Sequence, residues 1–466
     1  MSTIHVFVDY KSVESYLAFG DILRLRDDVG CALVWHPFLA KLTEFGYCDV
    51  HDNVVTVHLR EHYRKKNPYL YRVAKDTASK RSPVLPLRGP TCLLNTTPLL
   101  CGLIFVISVS DETHQPSVVV SYHQQAFAAI WDPANQRDVQ SPEVVASLVS
   151  AALRDATFAD VFITFFRGEG LQALRSCLDS AEAEFGVFEA PSFVLEGVNT
   201  KNTALFPARG ELFSARPSLS LLRHRLGPGT QSIPMRPTGK EQRGPKSIDV
   251  YVDLKSPYAY LSIQPTLQLR RDFDVTLNWL PFTLDIQSFL GSAEVGARDN
   301  IVKAGTNRRS ERQWRQVKYA YADVRRRGAL RDPPLQVYGT RKVWDSSLAG
   351  LAMLWAKDRG EDALDRYQSE VWPLFWRREL DIEDTSLMVA VLARVGVETQ
   401  GFASWASGEG RRRLDAINNH ARKLGVFGVP TFVVHDDAFL WGGEHLEEIR
   451  VRLSEQGYAR PIHSSL

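Results

Sequence analysis

Apolar and polar positions alternate most legibly in the second half of the chain. Ile248 to Asp253 is a short β-branched run that predicts a buried strand. Ser256-Pro257 supplies an N-cap and a first-turn proline, so a helix is expected over Tyr258 to Arg271. Val275 to Leu280 reads as the next strand, and from about Ser292 to Arg422 the pattern is amphipathic and helical, with helices over Trp344 to Lys357 and Ala363 to Phe375. A strand at Thr431 to His435, a hairpin return at Ala438 to Trp441 and a helix from Glu444 close the series. The order β-α-β, helical block, β-β-α implies a sheet of mixed direction under a helical lid. The most apolar stretch, Leu99 to Ile107, is far shorter than the roughly 18–20 residues that cross a bilayer, and reads as a buried helix or strand.

The pattern occurs twice. Ile4-His5-Val6-Phe7-Val8-Asp9-Tyr10-Lys11-Ser12 matches Ile248-Asp249-Val250-Tyr251-Val252-Asp253-Leu254-Lys255-Ser256 at six of nine positions. The same offset pairs Tyr16 with Tyr260, Trp35 with Trp279 and Pro37-Phe38 with Pro281-Phe282. Near the other end, Gly186-Val187-Phe188, Pro191 and Phe193-Val194 pair with Gly425-Val426-Phe427, Pro430 and Phe432-Val433. Both ends of one module are therefore duplicated. Residues 227–246, rich in Gly and Pro, read as a linker between repeat one (1–226) and repeat two (247–456), with 457–466 as a polar tail.

Composition narrows the class. At 466 residues, 44% of them apolar and 24% charged, the chain is expected to be an ordinary globular protein with two cores. Its 56 basic and 54 acidic residues leave a formal charge of +2, so no global field recruits nucleic acid or an anionic membrane, and neither partner is expected. The first residues enter a strand-like run at once, which predicts a cytoplasmic location. The closing Ser464-Ser465-Leu466 lies one residue from a peroxisomal address, so peroxisomal or mitochondrial placement is the alternative. All five cysteines fall in the first half and no two form Cys-x-x-Cys, so free thiols are expected rather than a disulfide framework or a metal site.

Three segments of repeat two carry a resemblance. Val250-Tyr251-Val252-Asp253 followed by Ser256-Pro257-Tyr258 resembles the Asp-x-x-Ser-Pro-Tyr/Phe-Ser opening of kappa-class glutathione transferases and 2-hydroxychromene-2-carboxylate isomerases, relatives of DsbA. Gly425 to Phe432 resembles that family's Gly-x-Phe-Gly-x-Pro segment with its cis-proline, and Phe439 to Leu446 its Phe-(Trp)-Gly-x-Asp-Arg-Leu segment. The resemblance implies an α/β chain of two thioredoxin-like (DsbA-like) domains, each a mixed sheet with a large helical insertion. It implies glutathione as cosubstrate, Ser256 as the catalytic hydroxyl, and Val429, Pro430, Gly443 and Glu444 as glutathione-binding positions. Tyr258, Lys318, Tyr319 and Arg325 become candidates for lining the substrate mouth, with a solvated basic face as the alternative reading of the last three. The expected activity is an isomerase or transferase acting on a small, aromatic or otherwise apolar, electrophile. A non-catalytic glutathione or small-molecule binding module and a thiol-disulfide oxidoreductase are the alternatives.

The chemistry of these residue types agrees with that expectation. A helix start stabilises an anion by about 0.3–1 kcal/mol, up to roughly 2, and a hydroxyl donating to a charged acceptor adds about 1.5–3 kcal/mol. Together they bring a thiol from near 8.5 to about neutral, at about 1.4 kcal/mol per pKa unit. Ser256 is also, more plainly, an ordinary N-cap, and Glu444 an ordinary first-turn acid. Two positions depart from the family pattern: Gly443-Glu444 replace the acid that holds the γ-glutamyl ammonium, and Ala322 replaces a polar residue. Repeat two has no cysteine, so the reacting thiol must come from outside. Repeat one keeps Ser12 and Pro191 as degenerate counterparts but lacks the helix-opening proline, brings Glu14 beside the serine and has Arg216 where an acid is expected. It is expected to be inactive and to pack against repeat two as an internal pseudo-dimer.

Overall fold

The computed structural model describes residues 2–40, 46–51, 54–59, 61–113, 117–197, 209–227, 244–290, 293–295, 301–304 and 309–460. Most of the expected linker and the last six residues lie outside these. The chain divides into two compact units, Met1–Thr230 and Gln231–Leu466.

The first unit runs β1 (Thr3–Val8), α1 (Val13–Val29), β2 (Ala32–Pro37), β3 (Gly46–His51), β4 (Val54–Leu59), α2 (Glu61–Ser79), α3 (Thr97–Thr113), α4 (Ser117–Trp131), α5 (Pro142–Leu153), α6 (Phe158–Phe165), α7 (Leu171–Ala183), β5 (Ser192–Leu195), β6 (Glu211–Ser214) and α8 (Leu219–Leu226). The second runs β7 (Lys246–Val252), α9 (Pro257–Asp272), β8 (Val275–Pro281), α10 (Ile286–Leu290), β9 (Ala293–Val295), β10 (Ile301–Ala304), α11 (Glu311–Ala329), α12 (Ser347–Lys357), α13 (Glu361–Trp376), α14 (Thr385–Arg394), α15 (Phe402–Trp405), α16 (Arg411–Leu424), β11 (Thr431–Val434), β12 (Ala438–Trp441) and α17 (Leu446–Glu455). Each unit has the same four-stranded sheet, in the orders β2-β1-β5-β6 and β8-β7-β11-β12. β1 and β7 pair in parallel with β2 and β8, whereas the β5 and β11 contacts are antiparallel. These are thioredoxin-like sheets of mixed direction, each interrupted by a helical insertion.

Burial explains why the sequence pattern of the central strands is nearly continuous rather than alternating. Ile248 to Val252, Asp249 included, are all buried on the central strand β7, with α9 and the insertion packed around them. The helices start where side chains supply missing acceptors. Ser256 and Ser12 each accept the backbone N–H three residues on, at 3.2 Å, and Ser310 with Gln313 forms a capping box at α11. A π-helical turn precedes α7 and α16 alike, at Phe166–Gly170 and Ala406–Gly410, so the duplication extends through the insertions.

Two expectations need correction. The block after Ser292 is not helical from its start: β9 and β10 form a hairpin there, as β3 and β4 do in the first unit. Strands as short as three and four residues, paired only with each other among the described residues, leave little trace in an amphipathic count. The tail also begins later than expected. Phe273 bridges Ala459, Asp274 N–H donates to Tyr458 O at 2.8 Å, and Arg460 N–H donates to Asp272 O at 2.8 Å, so residues 458–460 belong to the second unit.

Candidate active site

Ser256 occupies the turn between β7 and α9. Its backbone N–H donates to Asp253 O at 2.9 Å, which closes the turn. The side chain is buried and uses its oxygen twice: it accepts from Ala259 N at 3.2 Å and donates to Val429 O at 3.1 Å. The serine hydroxyl and the carbonyl before Pro430 thus meet although they are 173 positions apart. The Val429–Pro430 bond is cis.

Beyond Pro430 the chain presents a second part of the same surface. Gly442 N–H donates to Pro430 O at 2.9 Å. Trp441 packs on Phe427, ring centroids 4.8 Å apart, and a Cβ at Gly428 would lie 2.5 Å from the indole nitrogen, so only glycine lets the tryptophan lie there. Gly442 has φ of 112°, and a Cβ on it would fall on the Glu444 carboxylate. Glu444 therefore curls back over Gly442 while remaining exposed to solvent, and Gly443 sits against Ser262.

The expected mouth residues of α9 and α11 are dispersed. Tyr258 turns its hydroxyl to the buried Asp323 at 3.2 Å, and Asp323 also accepts from Arg326 at 3.2 Å and Arg327 at 2.8 Å. Burial, with the Asp323 carboxylate beside it, holds the Tyr258 phenol well above its ordinary value. Tyr319 is buried, a correction to its placement at an open mouth, because α11 turns that face inward. Ala322 is buried for the same reason. Lys318 and Arg325 lie on the opposite, solvent-facing side, where Arg325 donates to Val337 O at 2.8 Å and Tyr338 O at 3.1 Å.

Sequence reasoning passed over the pair in front of Ser256. Asp253 and Lys255 are both buried, and the carboxylate accepts Lys255 N–H at 2.9 Å and Leu284 N–H at 2.7 Å. The Lys255 ammonium donates to Leu284 O at 2.8 Å and stands 3.6 Å from Asp253 Oδ2. The available signal was the repetition of Asp-x-Lys-Ser at Asp9 to Ser12.

The first unit repeats the geometry at its own serine. Ser12 donates to Ala190 O at 3.0 Å, and Ala190–Pro191 is also cis. Glu14 and Arg216, two departures from the pattern, prove to be partners: Arg216 Nε reaches Glu14 at 3.2 Å and its guanidinium lies 3.9 Å from Asp21, which Arg81 holds at 2.9 Å. The carboxylate beside Ser12 is thus neutralised from within the unit. Among the described residues no group of three or more His, Cys, Asp or Glu is placed to hold a metal ion, and no helix is long and apolar enough to cross a membrane.

Parts of this chain are similar to known proteins. Residues 247–454 match the family described as the DSBA-like thioredoxin domain. A 2-hydroxychromene-2-carboxylate isomerase of Sphingobium xenophagum is 25% identical over 204 residues, which cover 43% of this chain and 95% of that protein. Glutathione S-transferase kappa 1 of Rattus norvegicus is 21% identical over 223 residues, 46% of this chain and 92% of that protein. A solved structure of 2-hydroxychromene-2-carboxylate isomerase covers 45% of this chain and 95% of its own, at 22% identity and a TM-score of 0.35.

Proposed function

Because residues 247–454 belong to the DSBA-like thioredoxin domain family, and the relatives of that segment include isomerases and a glutathione transferase, we propose that the second unit is a glutathione-dependent isomerase or transferase acting on a small electrophile. The observation that carries the reading is the Ser256 hydroxyl, buried at the start of α9 and bonded to the carbonyl before cis-Pro430. A hydroxyl there has two acceptors within its rotation: Val429 O, and any anion drawn to the positive end of the α9 dipole.

The residues fit glutathione at two ends. Ser256 and the α9 N-terminus suit its sulfur, and the exposed Glu444 carboxylate above Gly442 suits its ammonium. Val429 and Pro430 form the backbone edge between them. Glutathione supplies the nucleophilic sulfur, which adds to the electrophile and, in an isomerase, leaves again after bond rotation. The work of this chain is to keep that sulfur ionised and to position it. Ser256 does so by donating its O–H hydrogen bond to the anion instead of to Val429 O, an exchange that swaps a neutral acceptor for a charged one.

The burial of Ala322 and Tyr319 favours a second reading, a binding module without turnover, since neither contributes a group to an open site. Thiolate absorbance of bound glutathione separates the two. An active site lowers the bound thiol pKa by at least one unit in the wild type and not in Ser256→Ala; an unshifted thiol leaves only the binding module.

A further inference from the structure

Just ahead of Ser256 the second unit contains a partly open cavity of about 20 Å³. Its polar wall is Asp253, Thr283 and Ser346, and its apolar wall includes Leu254, Phe282 and Trp372. The duplication supplies a control, because the first unit has residues at all the same positions. The register is fixed by two equivalent bonds: Tyr122 donates to Leu99 O at 2.7 Å, and Tyr367 donates to Ala349 O at 2.9 Å.

At that register the first unit carries larger side chains at four of the lining positions. Tyr10 stands where the second unit has Leu254, Leu99 where it has Ala349, Leu100 where it has Gly350 and Thr96 where it has Ser346. Tyr10 is fully buried, with its hydroxyl 3.0 Å from His123 Nδ1. Thr96 closes the polar end: it donates to Asp9 Oδ1 at 2.7 Å and accepts from Lys11 Nζ at 3.4 Å, while Lys11 Nζ stands 2.7 Å from Asp9 Oδ2. Each of these four replacements in the second unit is a smaller side chain, whereas Val371 and Trp372 are larger than their counterparts Ala126 and Phe127, and the polar triad is open. Lys255 is drawn away to Leu284 O, 3.6 Å from Asp253, and among the described residues no hydrogen bond joins Ser346 to either.

We propose that the cavity is a subsite for a hydroxyl group of the substrate, which donates to the Asp253 carboxylate as the Thr96 hydroxyl donates to Asp9 within the first unit. Its volume suits a single oxygen and not a ring, so a ring-bearing substrate presents its hydroxyl end-on. Asp253, three positions before Ser256, and Ser346 become specificity-determining residues. A neutral acceptor without a proton, such as an ether, meets the Asp253 carboxylate with no donor and is rejected. The assignment of this group to a substrate rests on the reading of Ser256 given above; the binding itself does not.

The test uses the full chain without glutathione, with phenol and anisole as probes in isothermal calorimetry. Phenol is expected to bind at least tenfold more tightly than anisole. Ser346→Thr and Ala349→Leu, which install the side chains the first unit carries at those positions, are each expected to weaken phenol binding at least tenfold while the thermal midpoint holds or rises. Phenol and anisole within twofold of each other, absence of phenol binding, or folded variants that bind phenol like the wild type would overturn the subsite. Thermal protection by glutathione, measured on the same samples, keeps the two claims apart: protection without phenol discrimination removes the subsite alone, and discrimination without protection removes the glutathione reading alone.

Discussion

A hydroxyl with one proton and two possible acceptors sits at the centre of the proposed site. Ser256→Ala removes that proton and the cap together. The cap costs about 0.5–2 kcal/mol of stability, whereas a hydrogen bond to a charged sulfur is worth about 1.5–3 kcal/mol and each 1.36 kcal/mol is tenfold in rate. Glutathione-dependent turnover is therefore expected to fall at least tenfold in a protein that remains folded, checked by steady-state kinetics beside circular dichroism. Unchanged turnover would leave Ser256 as a cap for α9. Gly428 offers a second test at this scale, because a Cβ there meets the Trp441 indole. Gly428→Ala is expected to displace Trp441 from Phe427, visible as a change in tryptophan fluorescence and, since Val429 follows directly, as weaker glutathione protection. Ser256 and Pro430 were legible as local signals, a cap before a proline and a proline before a strand. The Glu14 and Arg216 partnership was not, because 202 positions separate them and each alone looks like a defect.

At the scale of elements, the two sheets differ in the groups buried between their strands. In the first unit His5 on β1 and His36 on β2 are 2.8 Å apart, with Phe7 stacked on His36 at 4.6 Å. Burial, helped by the neighbouring His5 and Arg209, lowers the His36 pKa to about 4, and full burial among aromatic rings lowers that of His123 on α4 to about 3. An unfolded chain binds these protons near the ordinary 6.5, so between about pH 6.5 and 4 the unfolded state holds more protons than the folded one. Stability is thus complete above pH 6.5 and declines as the pH falls, by about 3 kcal/mol for His36 alone. Urea unfolding of the full chain at pH 7, 5.5 and 4.5 is expected to show this decline, and His36→Leu, the residue β8 carries at Leu280, to reduce it by about half, the remainder belonging to His123. A decline equally steep in the variant would place its origin elsewhere. The hairpins β3–β4 and β9–β10 escaped the sequence reading of the insertions because, among the described residues, their strands pair only with each other and stand apart from the four-stranded sheets.

For the whole molecule, the duplicated units raise the question of how labour is divided. We propose that the halves associate as an internal pseudo-dimer, so that the chain is a monomer in solution. Light scattering is expected to give the mass of a single 52.5 kDa chain; a stable dimer or tetramer would contradict it. Glutathione, binding the native state, is expected to raise the thermal midpoint, and Ser256→Ala to reduce that rise where Ser12→Ala does not. The reverse pattern would move the active site to the first unit.

Local chemistry in the sequence was enough to determine the order of the sheet strands and their helices in the second half, the Ser256 cap, the duplication and the absence of a thiol from the second half, since each depends on residues a few positions apart or on plain counting. Tertiary packing decided the rest. It placed Ser256 against Val429, turned Tyr319 and Ala322 inward, paired Glu14 with Arg216, and left space beside Asp253 where the first unit has Tyr10 and Thr96. Those outcomes depend on side-chain volumes and on partners far apart along the chain, and such contacts exist only once the sheet and its helices have closed around them.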